Sequence, residues 1–225
     1  MRMRIRYSKV GKVRFTSHRD TARHWERAVR KAGVRVAWSG GFTPRPRMSF
    51  GLALPTGAES RAEYLDVELE AGSTTDEGEL TSVLAAALPA GYGVERVVAC
   101  PADARSLQEV VVACGWRLTL AGVTLDEVTS AVERTLEATE LPLERERKGQ
   151  RSRDDIRPAV LALTAHGSHD IVLDATLATS GRGLRPLELV AALFPTFDPV
   201  DVAPRVLRTH QWADHDGDLR DLVPL

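Results

Sequence analysis

The residues best suited to chemistry are cations that recur at helical spacing between positions 19 and 31. Arg19, Arg23 and Arg27 are separated by four residues, and the series continues at Arg30 or Lys31. Residues at this spacing lie on one edge of a helix, where like charges destabilise an isolated helix by about 0.2–0.5 kcal/mol per pair. A row of cations in spite of this cost suits contact with phosphates, because each neutralised phosphate releases counterions. The alternative is that Asp or Glu from elsewhere in the fold neutralises the row.

A second candidate is the segment 39–51, which combines arginines with aromatic rings. Two prolines stiffen it, Arg45 and Arg47 project from it, and Phe42 and Phe50 flank it. Guanidinium groups and aromatic rings on a rigid loop suit a splayed single-stranded base and its phosphate. The alternative is a packing loop with buried phenylalanines and solvated arginines. The residues predicted to bind nucleic acid are Arg19, Arg23, Arg27, Lys31, Phe42, Arg45, Arg47 and Phe50.

Two histidines near the cations provide a different chemistry. Histidine titrates near neutrality, so His18 and His24, with Tyr7, Lys12 and Ser17 nearby, are candidates for acid–base catalysis of RNA cleavage. His18 is the candidate catalytic residue in this interpretation. At the start of a helix, however, histidine more often has a structural role or contacts an anion.

Two weaker anion sites are predicted in the second half of the chain. The first is the pair Asp154 and Asp155 with the neighbouring arginines 151, 153 and 157, for which the alternative is a solvated loop. The second is the glycine-rich segment 180–183 (Ser-Gly-Arg-Gly) before the last predicted helix, which could cradle a phosphate. That segment lacks both the P-loop and the dinucleotide fingerprint, so its signal is weak.

No metal or cofactor is predicted. His166 and His169 lie in a turn with no third ligand nearby, and Cys100 and Cys114 are not in a CxxC spacing. Two such cysteines cannot by themselves hold a zinc ion or an iron–sulfur cluster.

The distribution of charge supports a partner that is anionic. The formal net charge of the 225 residues is −1, but residues 1–50 carry fourteen Lys or Arg against two acids, a net charge of +12. The remainder carries sixteen Lys or Arg against twenty-nine acids, a net charge of −13. This asymmetry indicates nucleic acid or another anion as a partner of the basic end.

Composition and periodicity predict a folded α+β protein. The chain is 43% hydrophobic, has no apolar run long enough to span a membrane, and starts without a secretory signal, so we expect a cytoplasmic protein. The first half is predicted as strand, helix, strand, strand, helix and strand, at 2–9, 17–33, 34–38, 64–69, 76–88 and 94–99. Ser17 and Asp20 form a predicted capping box, and Gly33 ends the helix. The alternation of residues 2–9 gives the first strand one basic face, with Arg2, Arg4 and Arg6.

The second half repeats this order more loosely. Strands are predicted at 110–120, 141–147, 159–164, 170–177 and 202–209, a helix starts after Thr124, and another opens at Pro186. Residues 148–155 are predicted as a polar loop, and the acidic tail after Ala213 as frayed. The βαββαβ order predicts two tandem ferredoxin-like units, the second with an extra strand. The predicted domains are 1–100 and 107–212, followed by the tail 213–225.

Several motifs together resemble the radical-SAM-linked protein family, a bacterial domain of unknown function. They read Val13-Arg-Phe-Thr-Ser-His-Arg-Asp, Glu26-Arg-Ala-Val-Arg-Lys-Ala-Gly, Gly41-Phe-Thr-Pro-Arg-Pro-Arg-Met-Ser-Phe, Leu54-Pro-Thr-Gly-Ala-Glu-Ser and Glu63-Tyr-Leu-Asp-Val-Glu-Leu. Asp155-Ile-Arg-Pro158 resembles a second, weaker signature, whereas Arg19 departs from the apolar residue expected there. The resemblance implies a radical SAM protein as partner, fused or encoded nearby, and a setting close to RNA-processing genes. It implies no reaction.

These observations favour a non-catalytic, RNA-binding accessory subunit that assists a radical SAM enzyme in modifying or processing transfer or ribosomal RNA. One alternative is a metal-independent endoribonuclease that uses His18. Another is a pure protein-docking subunit whose basic face meets an acidic partner.

Overall fold

A computed structural model describes residues 1–73, 76–101, 103–147, 150–181 and 183–223. The chain forms two compact units, the first of Met1–Val111 with Gln211–Leu225 and the second of Val112–His210. The α-helices are α1 His18–Lys31, α2 Glu77–Ala87, α3 Leu107–Val110, α4 Leu125–Glu137, α5 Pro186–Leu193 and α6 Pro199–Val202. The strands are β1 Arg2–Lys9, β2 Met48–Phe50, β3 Glu59–Glu68, β4 Tyr92–Cys100, β5 Val111–Leu120, β6 Pro142–Arg147, β7 Gln150–Asp155, β8 Val160–His166, β9 Ile171–Ala178, β10 Arg205–His215 and β11 Asp218–Asp221. The α+β class is confirmed.

In the first unit, β1 lies between β3 and β4 and pairs with both in antiparallel fashion, so that Ile5 is opposite Leu65 and Val97. Strand β2 pairs with the other side of β3. The core packs one face of β1 against the two long helices, through Trp25 of α1 and Leu84 of α2. Burying a side chain of this size stabilises the fold by about 1.5–3 kcal/mol.

The predicted basic face of β1 is not exposed. Arg4 and Arg6 are buried, and both are neutralised by carboxylates distant in the sequence. Arg4 donates from Nε and Nη2 to the two carboxylate oxygens of Asp66, at 2.8 and 2.9 Å. Arg6 donates from Nη1 to Asp221 at 3.3 Å and to the carbonyl of Val223 at 3.0 Å. Buried charges need such partners because removing them from water is costly, and these two arginines are therefore unavailable to a ligand.

Three predicted segments differ in the structure. The predicted strand 34–38 is reduced to two isolated bridges, Val36↔Leu69 and Trp38↔Pro46, because its residues pair with different segments, one position each. Of the predicted polar loop 148–155, residues 150–155 form β7, which pairs with β6, and residues 148 and 149 lie outside the described part of the chain. The segment after Ala213, predicted as frayed, ends β10 and forms β11, with Asp214 opposite Leu219.

In the second unit, β9 lies between β5 and β8, and both pairings are antiparallel. Thr124 and Glu127 form the predicted capping box of α4, and Pro186 occupies the first turn of α5, as predicted. Two tandem ferredoxin-like units remain a prediction. Each helix in the described ranges is too short or too polar to cross a lipid bilayer.

Candidate nucleic-acid interface

The cations predicted to follow one edge of helix α1 lie together on one exposed face of that helix, here named the cationic stripe. Ser17 caps the helix by accepting a hydrogen bond from the amide of Asp20 at 3.1 Å. At 100° per residue, the stripe covers about 120° of the helix circumference, opposite the buried side of the helix that carries Trp25. Its members are Arg19, Arg23, Arg27, Arg30 and Lys31, and all are exposed.

Most of the stripe is not neutralised by carboxylates. Arg23 contacts Asp20 at 3.1 Å, and this pair is solvent-exposed and therefore weak. Arg19, Arg27 and Lys31 have no ion-pair partner within 4.0 Å anywhere in the described part of the chain. The prediction that cations gather on a common outward surface thus holds for α1, but not for β1.

A narrow hairpin, residues 38–46, follows α1 and ends just before β2. Its base is closed by the Trp38↔Pro46 bridge and by the amide of Arg47, which donates to the carbonyl of Ala37 at 2.8 Å. Ser39 donates its amide to the carbonyl of Arg45 at 2.8 Å, and its Oγ accepts from the Arg45 amide at 3.0 Å. These bonds hold the two arms of the hairpin together below its tip.

Two aromatic rings are open to solvent on this hairpin. Phe42 at the tip is fully exposed, and the preceding Gly41 has a φ of 105°, which favours glycine. Trp38 at the base is 40% exposed, and the guanidinium of Arg30 lies 5.2 Å above its ring. Trp38 was not among the predicted binding residues. Its position immediately before the segment 39–51 was a signal that could have indicated a third aromatic ring there.

The remaining predicted binding residues are less available. Phe50 is half-buried on β2, packs against the core, and meets the ring of His18 edge-on at 5.3 Å. The prediction of two open phenylalanine rings is therefore correct for Phe42 only, because β2 draws Phe50 towards the core. Arg45 is exposed, whereas Arg47 contacts Glu68 at 3.2 Å.

The two histidines do not form one acid–base site. His18 is exposed, and in the described ranges its ring makes the contact with Phe50 but no hydrogen bond. His24 instead lies 3.3 Å from the hydroxyl of Tyr92, and that hydroxyl is 3.1 Å from the hydroxyls of Thr16 and Thr21. Burial lowers the pKa of His24, and the nearby charge of Arg27 lowers it further. Neutral His24 therefore ties α1 to β4.

A buried lysine lies beside this network. Lys9 donates from Nζ to the carbonyl of Thr16 at 2.8 Å, and burial lowers its pKa against the opposing effect of Glu63. Tyr7 packs edge-on against Trp25 with ring centroids 4.9 Å apart. These contacts hold the start of α1 in place, and the stripe with it.

In the second unit, the two predicted anion sites share one cavity of about 250 Å³. Asp154 and Asp155 line it together with Ser180 and Gly183, whereas Arg182 lies outside the described residues. Arg145, missed in the sequence, lines it too, donating to Asp154 at 3.1 Å and to Glu188 at 2.7 Å. The carboxylates of Asp154 and Glu188 thus neutralise Arg145, the one guanidinium among the described lining residues. A cavity lined by carboxylates, with its arginine already paired, is not suited to binding a phosphate.

Two further polar clusters lie in the second unit. Asp155 accepts hydrogen bonds from the amides of Leu141 and Arg157, which lower its pKa. His166 lies 2.9 Å from Asp174, which also binds Arg117 through both oxygens. Over the ranges that the structure describes, no three or more His, Cys, Asp or Glu are arranged to hold a metal ion.

The chain matches one family model, described as an uncharacterized protein conserved in bacteria (DUF2344), over residues 2–186. No curated protein matches it. Among solved structures, it is similar to a Cbf5–Nop10–Gar1 complex at 7% identity and a TM-score of 0.49, covering 93% of this chain and 48% of that one. It is also similar to the archaeal box H/ACA sRNP Nop10–Cbf5 complex at 9% identity and a TM-score of 0.47, covering 93% and 47%. The chain spans about half the length of these chains, and so distant a similarity carries no argument about function.

Proposed function

The chain belongs to the DUF2344 family of uncharacterised conserved bacterial proteins, and we propose its function from the site itself. The function is that of a non-catalytic, RNA-binding accessory subunit. The cationic stripe of α1 would hold the phosphate backbone of a transfer or ribosomal RNA. The observation that carries this proposal is the exposed, unneutralised row Arg19, Arg27 and Lys31.

The spacing of the stripe has an energetic consequence. Cations four residues apart repel one another, so the row lowers the stability of the free helix. Polyanion binding reverses this effect, because each phosphate contact replaces repulsion by attraction and releases a counterion. A nucleic acid offers phosphates in a row, as the stripe offers cations.

The chemistry would be supplied by a partner. The resemblance of the motifs in residues 13–69 to the radical-SAM-linked family favours a radical SAM enzyme, which would act on RNA held by this subunit in the cytoplasm. We also propose that each unit is ferredoxin-like. The order β1, α1, β2, β3, α2, β4 of the first unit supports this assignment.

The test is the salt dependence of RNA binding. We expect the triple variant Arg19→Ala, Arg27→Ala, Lys31→Ala to bind a structured RNA more weakly at low salt. The slope of log Kd against log salt should fall by about 2–3, since each lost phosphate contact removes roughly 0.7–0.9.

A matched control removes three exposed arginines outside the stripe: Arg61→Ala, Arg134→Ala and Arg153→Ala. It changes the net charge by the same amount and should leave the slope within about 1 of the wild type. No RNA binding at low salt, or equal slopes for the two triple variants, would refute the proposal.

A second candidate function is supported by the exposed ring of His18 at the amino-terminal end of the stripe. In that case the protein would itself cleave RNA, with His18 as general acid or base. Incubation of labelled RNA with the wild type and with His18→Ala distinguishes the two functions. Our proposal expects no cleavage by either protein, and cleavage lost only in His18→Ala would favour the endoribonuclease.

A further inference from the structure

We infer that Trp38 and Phe42 form a stacking site for unpaired nucleotides, so that the RNA recognised here carries a loop, a bulge or a single-stranded end. This inference rests on the proposed RNA binding and specifies its ligand class. It assigns different roles to the two surfaces: the stripe contacts phosphates, and the hairpin contacts bases.

The exposure of Phe42 is the first feature that points to a ligand. Its ring buries no area against the fold, whereas Phe50, eight residues later, packs against the core. With Trp38, Phe42 leaves two aromatic rings of one hairpin open to solvent, and exposed apolar surface rimmed by polar residues marks interaction sites. Exposed cations lie near Phe42 in the sequence, Arg45 on the same hairpin and the stripe on the preceding helix, so the partner combines a flat apolar surface with negative charge. A nucleotide has both.

The two arms of the hairpin that carries these rings are held together by hydrogen bonds as far as Ser39 and Arg45. The amides of Ser39 and Arg47 donate to the carbonyls of Arg45 and Ala37, both at 2.8 Å, and two prolines restrict the chain between Ser39 and Arg47. Because Trp38 lies at the fixed base of the hairpin, its ring loses little conformational entropy on binding. Bases inside a duplex are stacked between their neighbours, whereas an unpaired base presents a free face to such a ring.

The contact between Trp38 and Arg30 joins the two surfaces. Arg30 belongs to the stripe, and its guanidinium lies over the Trp38 ring, which remains 40% exposed. The stripe and the hairpin are thus adjacent parts of one surface. An RNA whose backbone follows α1 brings its next bases to Trp38 and then to Phe42.

The experiment compares two RNAs with the same number of phosphates, a hairpin with a seven-nucleotide loop and a blunt duplex. The variant is Phe42→Ala, and the matched control is Phe15→Ala, because Phe15 is also exposed (62%) and Arg14 lies over its ring. We expect Phe42→Ala to weaken binding of the looped RNA roughly 5- to 150-fold, the range for loss of one stacked base. Binding of the duplex, and the slope of log Kd against log salt, should not change. Phe15→Ala should behave like the wild type.

A second readout reports stacking directly. With 2-aminopurine in the loop, the wild type should quench its fluorescence, Phe42→Trp should retain the quenching, and Phe42→Ala should lose most of it. Thermal unfolding of Phe42→Ala should match that of the wild type, because the ring makes no core contact.

The outcomes separate this inference from the proposed function. If both RNAs bind and Phe42→Ala weakens neither, or weakens both equally, the stacking site is refuted while RNA binding stands. If neither RNA binds at low salt, the proposed function itself fails. If the protein binds anionic lipid vesicles through Phe42 but binds looped RNA equally well without it, the hairpin is a membrane contact and the inference is wrong.

Discussion

Replacing Arg27 with glutamine should make the folded protein more stable and its complex with RNA weaker. Arg27 has like charges at both four-residue neighbours, Arg23 and Lys31, and a third at Arg30. Each such pair destabilises a helix by about 0.2–0.5 kcal/mol, so three pairs amount to about 0.6–1.5 kcal/mol. Arg23 also contacts Asp20, and Arg30 lies over Trp38, which reduces the repulsion they exert. We therefore expect a gain of about 0.5–1 kcal/mol in the free energy of unfolding.

The assay is urea unfolding at two salt concentrations, about 10 mM and about 1 M, between which the Debye length falls from about 30 to 3 Å. The gain should appear at low salt and disappear at high salt. Arg134→Gln on α4 is the control, because its neighbours at three and four residues include Glu137 but no cation. It should not stabilise the protein at either concentration.

One result would refute the reasoning. If Arg27→Gln is less stable than the wild type at low salt, Arg27 has a favourable partner in the folded protein and the stripe is not a row of unneutralised cations. The salt dependence of RNA binding could then no longer be attributed to unneutralised cations of the stripe, whatever the measured affinity. If Arg27→Gln is stabilised but its RNA affinity is unchanged, the repulsion within α1 is as described, and Arg27 does not contact the RNA.

Three further predictions concern the framework that holds the stripe. Asp66→Ala should lower the free energy of unfolding by about 3–5 kcal/mol in urea titrations, because it leaves the buried Arg4 without its carboxylate; an effect below about 1 kcal/mol would show that water replaces the carboxylate. Gly91→Ala should lower the thermal midpoint, since Gly91 has a φ of 96° and a Cβ would lie 2.7 Å from a backbone carbonyl; an unchanged midpoint would contradict this geometry of the turn before β4. Burial lowers the pKa of His24 below its unfolded value of about 6.5, so neutral His24 is favoured in the folded protein. Its contribution should be complete above about pH 6.5 and be lost as the pH falls through the lower folded value. Thermal midpoints measured from about pH 8 to 4 should therefore fall less steeply in His24→Gln, and parallel curves would exclude this role.

Local signals predicted α1 well, and tertiary contacts account for the errors elsewhere. The capping by Ser17 and the apolar spacing around Trp25 act within one or two helical turns, so neighbouring residues specify them. Strand β7 was missed because its sequence, Gln-Arg-Ser-Arg-Asp-Asp, has no apolar alternation, and its pairing with β6 defines it.

The order of residues is enough to make α1 amphipathic and to put its cations on one face, because the helical period alone sets which residues are neighbours around a helix. The same holds for the alternation of residues 2–9 in β1. Which of these faces are open to solvent depends instead on the packing of the whole fold. Arg4 and Arg6 resemble the stripe in composition, yet they are buried because Asp66 and Asp221, 62 and 215 residues away, neutralise them. Charge becomes a binding surface only where folding leaves it exposed and without a counter-charge, and that depends on residues brought together from distant parts of the chain.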